Sequence, residues 1–494
     1  MKISDLARAV PGAIMILEPE HQNVTSLCTD SRKVKPGAMF FCIPGTRMDA
    51  HEFAPQAVEL GAVALVVEHE LDVECAQVIV PDVRAALSYI AAEFYGNPAA
   101  SMHMIGLTGT KGKTTGSFLI KSILEAAGHK VGLIGTVCSM IGDKQIPANL
   151  TTPDPIDFQS LLRQMKDAGV TYVVMEVSAH ATALRKLEGM KFDVCGFTNL
   201  SQDHLDFFAT MENYLDAKML LFAQDRCTRC VFNADDERVA EAIKPLTIQK
   251  MSTGIRAKAD MFANDIEVGE RGCSFRITMY RRYSINVELR LSGIFNVYNS
   301  LMAAAICDAA GVSPSAIQRG LEAVMNVPGR IELLDTETPY RVILDYAHAP
   351  DALENILTTV RETARARVIA LFGCGGDRDH EKRPMMGEIG GRLSDYCILT
   401  SDNPRSEDPM LILGEIEKGI KQTKCEYIVI ENRREAIRYA LSIAQPGDVI
   451  VLAGKGHETY QEIKGEKRPF DEKVVVKQLL DEMDQTSHAS EAQK

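Results

Sequence analysis

Short apolar runs along the chain alternate with stretches in which apolar positions recur every three or four residues, the signature of strands and helices taken in turn. Met39 to Ile43 and Ala62 to Val67 predict strands among Pro and Gly turns in the first hundred residues, so a small α/β unit is expected there. After the break at Tyr95-Gly-Asn-Pro98, Met102 to Leu107 reads as a buried strand. Leu119, Ile120, Ile123, Leu124 and Ala127 then keep helical spacing as far as Gly128, a C-cap. Val170 to Met175 and Val194 to Thr198 predict two more strands, and Tyr214 to Phe222 a helix. From Ala259 to Leu291 the period changes to two, with Cys273, Phe275, Ile277 and Met279 on one face, which predicts antiparallel strands extending the central sheet. Gly293 to Ala305 starts a helix, and Val327 to Leu334 is a Pro-Gly break. In the last third Val342–Leu344, Val368–Phe372, Cys397–Thr400, Ile428–Ile430 and Val449–Leu452 predict parallel strands in a doubly wound arrangement. The tail after Asp481 is polar and is expected to fray.

The chain has 494 residues, too many for one core, and three α/β domains are expected: 1–99, 100–330 and 331–494. Apolar residues make up 46% and charged residues 24%, the balance of a soluble protein with a sizeable core. Asp and Glu outnumber Lys and Arg by 67 to 54, a net charge of −13, and no long basic run interrupts this. A nucleic-acid or anionic-membrane surface is thereby disfavoured, and anionic substrates must be met by local basic groups. The opening MKISDLARAVPG lacks the apolar core of a signal peptide, so the 12 cysteines are expected to be reduced, in the cytoplasm. Cys227 and Cys230 have no second pair at zinc spacing and read as free thiols.

The stretch with the clearest chemistry is GLTGTKGKTT, Gly106 to Thr115, which passes from strand to helix through a turn of small residues. Gly109 and Gly112 let backbone N–H groups close around an anion at the positive end of the helix. Lys113 can reach β- and γ-phosphates, and the Thr114 hydroxyl can face Mg²⁺. Five residues separate Gly106 from Gly112, one more than the strict nucleoside-triphosphatase pattern allows. Asn149 to Pro155 makes a fixed loop suited to a substrate. The strand ending at Met175 delivers Glu176, Ser178 and His180 to the end where open α/β sheets bind ligands. Asp203, His204 and Asp206 follow the next strand in a polar loop, where each could equally be a cap or a solvated residue. Lys218 sits among Leu215, Met219, Leu220, Leu221 and Phe222, as an unusual buried ammonium or as a snorkelling surface lysine. Ser31 and Arg32 occupy a polar turn. GCGGDRD after Phe372 lacks a dinucleotide fingerprint and reads as a turn presenting Arg378.

Six motifs occur in an order that resembles the Mur ligase family, and within it the branch that adds the third amino acid of the peptidoglycan stem peptide. They are DSRKVKPG from Asp30, TGTKGKTT from Thr108, TTP from Thr151, EVSAH from Glu176, NLSQDHLDFF with YLDAK, and DNPR from Asp402 followed by AGKGHE from Ala453. The resemblance implies a central ATP-binding domain between a small N-terminal α/β domain and a Rossmann-like C-terminal domain. It implies ATP-dependent ligation of meso-2,6-diaminopimelate to UDP-N-acetylmuramoyl-L-alanyl-D-glutamate through an acyl phosphate, by a monomer. L-lysine as the amino acid, or a folylpolyglutamate-synthase-like reaction, are the alternatives. Residue by residue, it assigns Gly109, Thr110, Lys111, Gly112, Lys113, Thr114, Thr115, Asn296, Arg330 and Asp345 to ATP, and Thr114, Glu176 and His204 to Mg²⁺. Lys218 would be carbamylated, and Lys113, Glu176, His204 and Lys218 would be the catalytic set. Ser31, Thr46, Arg47, Met48, Thr151, Thr152, Ser178 and Lys186 would hold the UDP substrate; Arg378, Asp402, Asn403, Pro404, Arg405, Gly454 and Glu458 would hold the diamino acid. Leu184 and Lys186 stand where the family often has Gln and Arg, and Lys111 where Asn is common.

Overall fold

The computed structural model describes residues 1–16, 22–45, 48–148 and 150–491, with side chains described as far as residue 485. Three main sheets follow one another along the chain. The first has five strands in the order Ile14–Ile16, Ala76–Ile79, Ala64–Val67, Ala38–Phe41 and Ser26–Cys28, all parallel except the first. Its central strands are buried along their whole length, which is why they read as unbroken apolar runs.

The second sheet has eleven strands. At its heart Gln249–Gly254, Cys227–Asn233, Phe192–Phe197, His103–Thr108, Tyr172–Glu176 and Val131–Ile134 run parallel. Met261–Gly269, Gly272–Met279 and Tyr283–Leu289 form the expected antiparallel extension at one edge, and Cys138–Ile141 with Lys144–Pro147 closes the other. The helices Lys113–Ala126 and Ile294–Ala309 lie side by side on one face, and the second is apolar nearly all round because it packs on the sheet and against neighbouring helices. The helix expected over Tyr214–Phe222 runs from Met211 to Met219 and tightens into a 3₁₀ turn over Leu220–Phe222.

The third sheet has the order Glu332–Leu334, Arg341–Asp345, Val449–Ala453, Val368–Phe372, Tyr396–Leu399 and Glu426–Val429, antiparallel only at its first strand. Helices on both faces make it doubly wound, as its repeat of strand and helix predicts. A hairpin, Tyr460–Ile463 with Glu466–Pro469, leans on the loop after its fifth strand through an Arg405–Ile463 bridge. Contrary to the fraying expected after Asp481, the last helix runs from Glu472 to Glu491. Val475, Val476 and Leu479 bury its first turns against the sheet, and past Asp481 the helix is held by Met483 against the same core and by Glu482, which accepts from Arg434 and Arg438. Glu472 accepts from Arg433 Nε at 2.8 Å, and both side chains are fully buried.

Candidate functional site

The phosphate loop takes its shape from glycine. Gly109 and Gly112 have φ of 138° and 85°, and a Cβ on either would collide, with Thr198 Oγ1 and with Asn299 Oδ1 respectively. No side chain caps the helix that begins at Lys113, so its first N–H groups face the cavity without a capping partner. Thr110 Oγ1 donates to the Ser201 carbonyl at 3.1 Å, and the Lys111 N–H donates to Asn199 Oδ1 at 2.9 Å; both tie the loop to the next strand's end. Lys113 folds back, its Nζ donating to the carbonyls of Gly109 at 2.7 Å and Thr110 at 2.9 Å. Burial pushes its pKa down to about 8.

Glu176 ends the neighbouring strand, fully buried, and gathers hydroxyls. Thr114 Oγ1 donates to its Oε2 at 3.1 Å and Thr136 Oγ1 at 2.9 Å, while the Thr136 N–H donates to Oε1 at 2.9 Å. Thr151 Oγ1 lies 3.0 Å from Thr136 Oγ1, and Thr152 Oγ1 donates to the Glu176 carbonyl at 2.9 Å and accepts from the Ser178 N–H. The segment of Thr151 and Thr152 is thereby pinned to the strand end. Thr114 and Glu176 offer two convergent oxygens, which suits a hard cation that completes its shell with water and phosphate oxygens. Among the described residues no three His, Cys, Asp or Glu side chains converge on one point. His204 stands apart in the left-handed region (φ 56°), half-exposed, 3.7 Å from Asp203 and edge-on to His180. Desolvation of its ring, with His180, Lys113 and Lys218 nearby, lowers its pKa to about 4, which leaves the imidazole neutral and able to ligate.

Lys218 is 1% exposed, which removes the snorkelling alternative. Its Nζ donates to the same Gly109 carbonyl at 2.9 Å and lies 4.2 Å from the Tyr214 ring centroid. Burial first, and then Lys113, drive its pKa well below the lysine range. Two lysine amines thus share one carbonyl, and a carbamate on Lys218 would place an anion beside Lys113.

The loop, Glu176, Thr151 and Ser178 line a cavity of 1370 Å³ whose far wall comes from the third sheet. Arg330 reaches across, its Nη2 donating to Thr114 Oγ1 at 3.3 Å and its guanidinium lying 5.1 Å from the Tyr346 ring, while its buried Nε has no partner. Ser201 Oγ donates to Asp351 at 2.6 Å, and Lys111 lies 3.5 Å from the same carboxylate. Asn296 is buried, bonding Ser292 and Asn299. Asp345 is buried with its pKa raised by burial, and it accepts from the Ile331 N–H at 2.8 Å.

A second cluster forms where the loops after Leu399 and Ala453 meet. Asp402, Asn403, Gly454 and Glu458 come together there: Asn403 Nδ2 donates to Glu458 Oε2 at 2.8 Å, and Gly454 (φ 115°) leaves room for Asp402 Oδ2. Arg405 is itself left-handed (φ 52°), its Nη1 donating to the Gly376 carbonyl at 2.7 Å and its Nε 3.4 Å from Glu462. Arg405 does not pair with the nearby Glu407, which is taken by Arg383 through both of its oxygens at 2.9 Å. Nη2 of Arg405 keeps no protein partner among the described residues. Pro404 precedes it in the stiff turn.

Not all sequence candidates converge. Ser31 lies in a turn capped by Asp30, Met48 is exposed, Lys186 pairs with Asp154 at 2.7 Å, and Arg378 is exposed with only the Asp377 carbonyl nearby. None of these four lines the cavity, and Thr46 and Arg47 lie outside the described residues. Conversely, Thr136, Asp351, His348 and Lys455 occupy central positions without having been singled out. Lys455 lay in plain view inside AGKGHE, whereas Thr136 sits in a stretch with no motif.

Three family models match in succession: the Mur ligase family catalytic domain over residues 23–95, the Mur ligase middle domain over 107–307, and the Mur ligase glutamate ligase domain over 329–456. The UDP-N-acetylmuramoyl-L-alanyl-D-glutamate–2,6-diaminopimelate ligase of Geobacillus thermodenitrificans is 45% identical over 490 residues, 98% of this chain and all of the relative. The ligase of the same name from Caldanaerobacter subterraneus is 43% identical over 484 residues, 98% and 99% of the two chains. A solved structure of a ligase of that name superposes with a TM-score of 0.70 at 32% identity, covering 98% of this chain and 99% of its own.

Proposed function

The chain belongs to the Mur ligase family, and on that premise we propose that it joins meso-2,6-diaminopimelate to UDP-N-acetylmuramoyl-L-alanyl-D-glutamate, converting ATP to ADP. The observation that carries this reading is the shared cavity, in which the phosphate loop, the Thr151–Ser178 corner and the wall from Arg330 to Asp351 face one another. A ligase must bring two anions together, a phosphate chain and a carboxylate. The supporting features are cationic and local: Lys113, the uncapped helix and Arg330 offset the charge that develops as the dipeptide carboxylate attacks the γ-phosphate.

In this reading Thr114, Glu176 and His204, with a carbamate on Lys218, would hold Mg²⁺, which would supply charge neutralisation at the phosphates. Thr136 keeps Glu176 turned toward Thr114. Asn296, Arg330 and Asp345 attend the nucleotide at the seam between units divided near residues 99 and 330. Thr151, Thr152, Ser178, Lys186 and Ser31 follow the UDP substrate outward from the reacting carboxylate. The amine of the incoming amino acid then opens the acyl phosphate to an amide, releasing phosphate. Arg405 offers a planar fork to the far carboxylate, and Asp402 and Glu458 face the far ammonium.

ADP release should require both the UDP-muramoyl dipeptide and meso-diaminopimelate. Release without the dipeptide would mark a phosphatase or kinase instead, and turnover of L-lysine as efficient as that of diaminopimelate would remove the assigned amino acid.

A further inference from the structure

The amino-acid cluster holds a buried charge that the roles above leave unused. Lys455 is 0% exposed. Its Nζ donates to Glu458 Oε2 at 2.9 Å and to Asn403 Oδ1 at 3.1 Å, and lies 3.7 Å from Asp402 Oδ1. Asn403 is thereby fixed, because its Oδ1 also accepts from the Glu462 N–H at 2.9 Å while its Nδ2 is committed to Glu458. Glu458 Oε2 therefore has two donors. The acceptors left over are Glu458 Oε1, with only Tyr346 Oη at 3.4 Å, and Asp402 Oδ2, beside the Gly454 Cα. The flanking charges cancel in pairs, Arg433 with Glu472 and Arg405 with Glu462. Two carboxylates facing one internal ammonium leave the cluster a single negative charge.

We propose that Lys455 is a specificity-determining positioning residue: it neutralises one of the two carboxylates and locks Asn403, so that the cluster takes a far end bearing one ammonium and one carboxylate. This rests on the assignment of Asp402, Asn403, Arg405 and Glu458 to the amino acid. With Lys455 present, an ammonium alone satisfies the acceptors but leaves Nη2 of Arg405 without a partner, whereas an ammonium with a carboxylate completes both. Without Lys455, two uncompensated carboxylates would draw in a bare ammonium more strongly and the preference would narrow.

The test uses the full-length protein and the substitutions Lys455→Met and Lys455→Arg, with kcat and KM measured for meso-diaminopimelate and L-lysine at saturating ATP and UDP-muramoyl dipeptide. Lys455→Met should raise the KM for diaminopimelate at least tenfold and cut the diaminopimelate-to-lysine ratio of kcat/KM at least tenfold. The KM for ATP should stay within twofold, and Lys455→Arg should recover most of the ratio. An unmoved ratio in Lys455→Met, or an arginine variant as impaired as the methionine one, overturns the proposal. A measurement independent of folding uses the unmutated protein: L-lysine, which lacks the far carboxylate, and L-2-aminopimelate, which lacks the far ammonium, should each compete at least tenfold less well than diaminopimelate. Lysine competing equally overturns the role of Lys455. No turnover of diaminopimelate by the unmutated protein would overturn the assignment beneath it as well, which separates the two failures.

Discussion

Lys113 and Lys218 are buried at the phosphate loop with backbone carbonyls and a tyrosine ring for partners, and neither makes an ion pair within 4 Å of a described residue. Lys455, equally buried, is ringed by two carboxylates and an amide. One end of the site thus holds lysines whose counter-charge has to arrive with a ligand; the other has its counter-charge in place and keeps a single negative charge before anything binds. The contrast teaches that burial of a lysine says little by itself. A lysine without an anion is a cost to the fold that a bound phosphate offsets, whereas one with its anions in place is part of the scaffold.

The sharpest way to break this contrast is Lys113→Met. ADP formation should fall by roughly 10³-fold or more, since the charge developing on the phosphate loses its nearest cation. Stability should move the other way. With a folded pKa of about 8 against an ordinary 10.5, the folded chain binds fewer protons than the unfolded one between those values. The penalty is therefore present in full below pH 8 and fades as pH rises toward 10.5; at pH 7 it is on the order of 3 kcal/mol. Urea unfolding at pH 7 should find the methionine variant at least as stable as the parent, and a lower midpoint would show that Lys113 already has its counter-charge. Magnesium-ATP should also take up protons on binding near pH 8, readable by calorimetry in buffers of different ionisation enthalpy.

Next in size is Lys218. Its depressed pKa frees the amine to add CO₂, and a carbamate would supply the anion this end lacks. Lys218→Ala should lose roughly 10²-fold or more of the activity while remaining folded. Native mass measurement showing an unmodified and fully active Lys218 would dismiss the carbamate.

At the other end Arg405→Ala should raise the KM for diaminopimelate about a hundredfold, the worth of two charge-assisted bonds totalling about 3 kcal/mol. The KM values for ATP and the UDP substrate should hold; if all three rise together, Arg405 is supporting the loop rather than reading the substrate. The smallest effect is expected of Thr136→Val, which removes one hydroxyl from Glu176 and leaves the N–H. The Mg²⁺ concentration giving half-maximal rate should rise roughly five- to tenfold, as loss of one hydrogen bond to a carboxylate implies.

The same contrast explains what the sequence disclosed. The phosphate loop was legible because strand, glycines, lysine and helix are contiguous, and local geometry follows from local composition. The doubly wound third sheet was legible for a similar reason, since its two central strands, Val368–Phe372 and Val449–Ala453, are buried along their whole length and therefore continuously apolar. Lys218 left two readings open, because an apolar helical neighbourhood suits a buried amine and a snorkelling one alike; only packing against Tyr214 and the loop decides. The role of Lys455 was hidden because two of its three partners come from residues 402–403, some fifty positions earlier, brought close by parallel strands whose order cannot be read from spacing. The helical tail was missed because the partners of Glu482 and Met483 come from a helix some fifty positions earlier and from the sheet, which local composition does not disclose.

The buried pair of Arg433 with Glu472 bears on how the molecule is made. Arg433 is fully enclosed, and its anion is delivered by a helix that begins some forty residues further along the chain. On the ribosome every strand of the third sheet is synthesised before that anion emerges, so the sheet cannot close over its guanidinium until Glu472 is free to join it. A nascent chain stopped short of residue 472 would have to bury an unpaired cation, at about 3–5 kcal/mol, or hold its last layer open. Completion of the amino-acid end is thus coupled to translation of the final helix, and a message broken in that stretch should yield a product that chaperones and proteases recognise as unfinished.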